Sequence, residues 1–79
     1  MRITYDPMAN AAYIYLTGEP LTPGRDTVSC ELPDDARGTA NMDWKDGKIV
    51  GLEILNARAV LHADLLAQAQ PPDASQPKT

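Results

Sequence analysis

The stretch Thr39-Ala-Asn-Met-Asp-Trp-Lys-Asp-Gly-Lys-Ile-Val-Gly-Leu-Glu-Ile-Leu-Asn-Ala57 decides how this chain folds. Two runs of alternating apolar and polar residues flank Asp46-Gly47, and an Asp-Gly pair so placed is among the strongest short-range signals for a β-hairpin. Register then determines which side chains share a face. A two-residue loop pairs Trp44 with Ile49 and Asp43 with Val50, leaving both faces half polar. A three-residue loop, Lys45-Asp46-Gly47 with the glycine left-handed, pairs Trp44 with Lys48 and Met42 with Val50. Ala40, Met42, Trp44, Val50, Leu52 and Ile54 then share one face. Thr39, Asn41, Asp43, Ile49, Gly51, Glu53 and Leu55 take the other. A one-residue slip moves every side chain to the opposite face, so segregation selects the three-residue loop with a glycine bulge.

Outward from the hairpin, residues 2–6 read as a first strand, and Asp6-Pro7 opens a turn because proline presets φ. Residues 11–17 form a second strand with Ala12, Ile14 and Leu16 on one face and Tyr13 and Tyr15 on the other. A strand apolar on both faces belongs where it is covered twice. Gly18 to Gly24 is a loop, since Pro20 and Pro23 cannot donate to a ladder. Thr27 to Leu32 makes a third strand. Residues 58–69 read as one helix whose stripe includes Leu61, Leu65 and Leu66, ending before Pro71-Pro72. The fold class is α+β: a small antiparallel β-meander of about five strands with one C-terminal α-helix. One domain spans residues 1–69, and residues 70–79 have the composition of a disordered, proline-rich tail.

At 79 residues there is room for one small domain. Its unfolded chain hides only roughly 60–65% of its surface on folding, so association is a natural reinforcement. Cys30 is the lone cysteine and cannot form an internal disulfide, which fits a reducing cytoplasm. The first residues lack the charged leader and apolar core of a signal peptide, and no apolar run reaches the ~20 residues that span a bilayer. A soluble chain with no membrane partner is the expectation. The net charge is −4 and the basic residues are scattered, so the basic face of a nucleic-acid binder is missing. An acidic surface suits a small basic protein partner or serves solubility alone.

Tyr5-Asp-Pro-Met-Ala-Asn-Ala-Ala-Tyr-Ile-Tyr-Leu16 and Asn41-Met-Asp-Trp-Lys-Asp-Gly-Lys-Ile-Val-Gly-Leu-Glu-Ile-Leu-Asn-Ala57 together resemble the bacterial domain of unknown function 2283 family. The likeness covers roughly residues 2–69 and is most specific over Val50 to Ala57. Members open with a tyrosine-aspartate turn and an alanine-x-tyrosine-isoleucine strand, and close with a hairpin and a short leucine-bearing helix. This chain departs at a shorter hairpin loop, at Asn10 where aspartate is common, and at His62 where a proline often opens the final helix. The family has no established activity. An antitoxin-like role is implied through the small toxin-like neighbours of related genes.

The polar groups placed as if to converge are Asp6, Asn41, Asp43 and Glu53. Paired carboxylates hold Mg²⁺ or Ca²⁺, or act as acid and base, so Asp6, Asp43 and Glu53 could make a small acidic-site enzyme or a divalent-metal protein. The plainer reading has Asp6 and Asn10 capping turns, with Asn41 and Asp43 facing water. Glu53 interrupts an apolar run, where an unpaired buried charge is costly, so Arg2, Arg25 or Arg58 could pair with it. Asp43 to Gly47 is no calcium loop, because Trp44 stands where a ligand belongs. One histidine, His62, and one thiol leave zinc and a nucleophile–base dyad without partners. No catalytic residue, metal ligand or cofactor is assigned. Gly51 reads as a bulge or as tight packing opposite Asn41.

The leading expectation is therefore a non-catalytic interaction and oligomerisation module. With one helix on the Trp44 side, Tyr13, Tyr15, Ile49 and Leu55 would form an open apolar face. Monomers rarely leave such a face in water, so these residues are the expected interface of a two-fold homodimer. The alternative is a monomer whose Gly18–Gly24 loop folds over that face.

Overall fold

The computed structural model describes residues 1–72. Five strands form one antiparallel sheet: β1 (Arg2–Asp6), β2 (Ala11–Tyr15), β3 (Asp26–Ser29), β4 (Thr39–Lys45) and β5 (Lys48–Leu55). Two short helices, α1 (Ala57–Val60) and α2 (Ala63–Ala67), follow. The spatial order is β1-β2-β5-β4-β3, so the sheet is not a simple meander. The chain leaves β2, crosses to the far edge as β3, and returns through β4 so that β5 docks against β2. The two strands with apolar residues on both faces thereby lie side by side, where each has a neighbour to bury against.

The hairpin turn differs from the expected one. Lys45 pairs with Lys48 around a two-residue Asp46-Gly47 turn, with φ of 52° and 77°. Two positive φ values give the turn whose twist matches that of the strands it joins. Trp44 lies opposite Ile49, and Asp43 lies opposite Gly51, so Val50 is the extra residue of a bulge. Beyond the bulge, Met42 faces Leu52, Asn41 faces Glu53 and Ala40 faces Ile54: the faces are those that segregation demanded, but each partner lies two residues past the expected one, since Met42 was to meet Val50. Lys45, expected in the loop, is paired in the ladder, and the unpaired residue is Val50 on β5 instead. Ile49 therefore stands with Trp44 and not with Glu53.

The core lies on the sheet face bearing Ala12, Ala40 and Ile54. The small Ala12 and Ala40 side chains let Ala57 of α1 pack in the same cluster, while Cys30, Leu32, Val60, Leu61 and Leu66 pack around it. Two helices stand where one was expected, because Leu61 is extended (φ −101°, ψ 145°) and His62 starts the next turn. That break lets Leu61 and Leu66 reach the same alanine layer. Gly38 lies under α1, where a Cβ would strike the Leu55 carbonyl and the Val60 side chain.

Asn10 fixes where α1 begins. Its carbonyl accepts the Ala57 N–H at 2.9 Å and its Oδ1 accepts the Arg58 N–H at 3.0 Å. The same Oδ1 accepts the Tyr5 hydroxyl at 2.9 Å, and Nδ2 donates to Asn56 Oδ1 at 2.7 Å. Asn10 and Asn56 both hold positive φ (51° and 57°), a region in which asparagine is enriched. A helix of four residues cannot satisfy its own first N–H groups, and Asn10 does so from a distant turn. Past α2, Gln70 lies parallel to β1, with Tyr5 N–H donating to the Gln70 carbonyl and Gln70 N–H to the Ile3 carbonyl, both at 2.9 Å. Most of the stretch expected to be a tail, residues 73–79, lies outside the described residues.

Candidate functional site

The second sheet face carries the polar side chains. Strand pairing sets Tyr15, Gly51, Asp43 and Thr27 in one row across the sheet, and Thr4, Tyr13, Glu53, Asn41 and Ser29 in the next. Gly51 leaves a gap between Tyr15 and Asp43. The Tyr13 side chain crosses that gap, where a Cβ on residue 51 would overlap its ring and hydroxyl. The Tyr13 hydroxyl thereby reaches Asp43 and donates to Oδ2 at 2.7 Å.

Asp43 is the hub. Its Oδ1 accepts the Thr27 hydroxyl at 2.7 Å, and Arg25 Nε lies 3.7 Å from Oδ2. Arg25 is tied to the loop ahead of β3 by donating to the Thr22 carbonyl at 3.1 Å, and Lys45 holds the Pro23 carbonyl at 3.2 Å. Tyr13 and Tyr15 meet edge to face with ring centroids 4.8 Å apart. The Arg2 guanidinium lies 3.8 Å above the Tyr15 ring. Both tyrosines are buried, and Asp43 is 5% exposed. A carboxylate so buried is tolerable because hydrogen bonds and a cation offset its desolvation. Burial first, then the hydrogen bond to Asp43 and its charge, raise the Tyr13 pKa above its ordinary value. Its hydroxyl stays a donor and cannot serve as a phenolate base near neutrality.

Of the four candidate polar residues, the structure gathers three. Asn41 Nδ2 donates to Glu53 Oε1 at 3.1 Å, beside Asp43 on the same face. Asp6 lies elsewhere, at the far end of β1, where its Oδ1 accepts the Met8 and Ala9 N–H groups at 3.0 and 3.4 Å. It caps a turn. Asp43 does not face water, and Arg25, one of the three arginines considered for Glu53, lies beside Asp43 instead. Glu53 is 7% exposed. No group of three histidine, cysteine, aspartate or glutamate side chains is arranged to hold a metal ion among the described residues.

The four residues expected to form an open interface do not share one patch. Tyr13 and Tyr15 are buried within the single chain, and the bulge carries Ile49 to the opposite face. Thr27, Arg25 and Tyr13 were not foreseen as partners of Asp43. Gly51 was the available signal, but its neighbours on the face are Tyr15 and Asp43 rather than Asn41. A groove of about 720 Å³ at the corner of the sheet is lined by Met1, Arg2, Tyr15, Leu16 and Gln68 among others, with no carboxylate, thiol or imidazole among the described residues that line it. No helix among the described residues is long and apolar enough to cross a membrane.

The family model described as protein of unknown function (DUF2283) matches residues 2–58. No curated protein and no solved structure matches the chain.

Proposed function

The chain belongs to the DUF2283 family, and from that footing we propose that it is a non-catalytic interaction module that self-associates. The observation carrying this reading is the uneven cover of the core face. Ala12, Ala40 and Ile54 are buried beneath the helices, whereas Ile14, Met42, Leu52 and Trp44 on the same face are only half-buried. Leu16 and Val28 continue that surface at 38% and 47% exposure. An apolar sheet surface of this kind calls for a protein neighbour. The polar face supports the same reading, because the oxygens of Asp43 are engaged inside the chain and the Tyr13 hydroxyl is held as a donor.

In its finer form, the module acts in a bacterial cytoplasm as a homodimer and masks a small basic protein in an antitoxin-like manner. The net charge of −4 and the lone cysteine support this form. The metal-binding or acidic-site alternative loses its basis, since Asp6 is remote from Asp43 and Glu53.

Light scattering at micromolar concentration tests the reading. A mass of twice 8.6 kDa is expected. A mass of 8.6 kDa across that range would overturn it.

A further inference from the structure

Resting on that reading of self-association, we infer that β3 is the seam: two copies join edge to edge through β3, antiparallel about a two-fold axis at Val28, into one continuous sheet. The two edges of the sheet are finished differently. The outer edge of β1 is closed by the chain itself, through the two backbone hydrogen bonds of Gln70. Among the described residues, the outer edge of β3 has no such cover.

Cys30 N–H donates to the Ala40 carbonyl at 2.8 Å. Antiparallel pairs alternate between bonded and non-bonded, so Val28–Met42 and Asp26–Trp44 carry the remaining bonds to β4. Thr27 and Ser29 therefore aim their backbone N–H and C=O groups outward. No backbone hydrogen bond reaches them from that side among the described residues. All four residues of β3 are exposed. Proteins usually blunt such an edge with a lysine, a proline, a bulge or a covering segment. The Asp-Thr-Val-Ser sequence of β3 has no lysine, proline or bulge, and its one charge, Asp26, stands at the strand end, outside the Thr27–Ser29 window.

The pattern fits a second copy better than an arbitrary strand. With Val28 on the axis, Thr27 of one copy exchanges both backbone hydrogen bonds with Ser29 of the other. The two Val28 side chains meet as a non-bonded pair, the geometry that brings side chains closest. Val28 is the single apolar residue of β3 and is 47% exposed. The joined sheet turns two half-covered apolar surfaces into one, running from Met42 through both valines to the second Met42.

Ser29→Pro tests the seam. The Ser29 N–H points outward, so proline there blocks pairing between copies and leaves the bonds to β4 intact. The mass should halve to 8.6 kDa with the circular dichroism spectrum unchanged. A Ser29→Pro protein that remains a dimer would overturn the seam and leave self-association standing, whereas a monomeric wild type overturns both. Should Ser29→Pro fail to fold, Val28→Lys places like charges across the axis from an exposed position and should also give a monomer. Hydrogen exchange supplies a second readout on the wild type. The Thr27 and Ser29 amides should exchange at least about tenfold more slowly in concentrated than in dilute solution. Equal rates, in a sample whose mass has doubled, would sink the seam.

Discussion

The Tyr13 hydroxyl reaches across β5 to the Asp43 carboxylate, 2.7 Å away, through a space that exists because residue 51 has no side chain. Donor, acceptor and gap sit on three adjacent strands, so this contact reports the strand order itself.

Gly51→Ala should lower stability by about 1 to 3 kcal/mol, the usual cost of forcing extra volume into a packed site. Tyr13→Phe should cost a similar amount by removing a donor from a buried carboxylate. The added methyl is accommodated once the ring is removed, so the alanine should cost much less in a Tyr13→Ala background. Urea unfolding of the two single variants and the double variant measures this coupling; strictly additive losses would refute the contact.

Alkali should destabilise the fold through the same residue. The unfolded tyrosine releases its proton near 10.0, while in the folded chain burial and Asp43 retain it at higher pH. A raised folded pKa contributes stability that is complete below the unfolded value and is lost as pH rises past it. The thermal midpoint should therefore fall from about pH 10 upward, and Tyr13→Phe should flatten that fall. A Tyr13→Phe protein with an unchanged slope would contradict the assignment.

Asn10→Ala removes the acceptor for Tyr5 and Arg58 and the donor to Asn56, and leaves a positive φ without the residue type that tolerates it. A loss of about 2 to 3 kcal/mol is expected, with helix signal lost from α1. Chemical denaturation together with amide exchange at Arg58 checks both parts.

Truncation tests what closes the β1 edge. A chain ending at Ala69 loses both backbone bonds to Gln70 and should melt measurably lower. A chain ending at Pro72 should melt within error of the full chain, because the polar residues that follow offer little apolar area. Equal midpoints for the two truncations would mean that Gln70 contributes nothing.

Alternation made much of the sheet legible. The pairs Met42–Leu52 and Asn41–Glu53 share faces as the segregation argument required, because a buried face punishes slippage. The turn was misread since a two-residue turn followed by one bulged residue gives the same segregation from Gly51 onward, with Ile49 changing face. What separates the two is the twist preference of Asp46-Gly47, a local term that the pattern of faces does not contain. The placing of β5 beside β2 was also hidden, because pairing between distant strands leaves no mark on either strand's own sequence. With it went the Tyr13–Asp43 contact. Asn41 and Glu53 could be set on one face from the hairpin alone, though not as direct partners; Tyr13 and Asp43 could not be joined at all.

The bond between Asn10 and Asn56 spans 46 positions of sequence, and that separation sets an order of assembly. A four-residue helix has no independent existence in water, so α1 must wait until the first turn and the end of β5 have met. Before then the chain comprises two local pieces, the β1–β2 hairpin and the β3–β4–β5 sheet, divided by the Gly18–Gly24 loop. A lone hairpin is marginal at best, and loop-closure entropy delays the contacts that join it to the rest. Docking of β2 on β5 is then the slow, committing event, and it delivers Asn10 to the helix in the same stroke. Chain opened within that loop should consist of two fragments, each incomplete alone, that recover the fold by complementing one another.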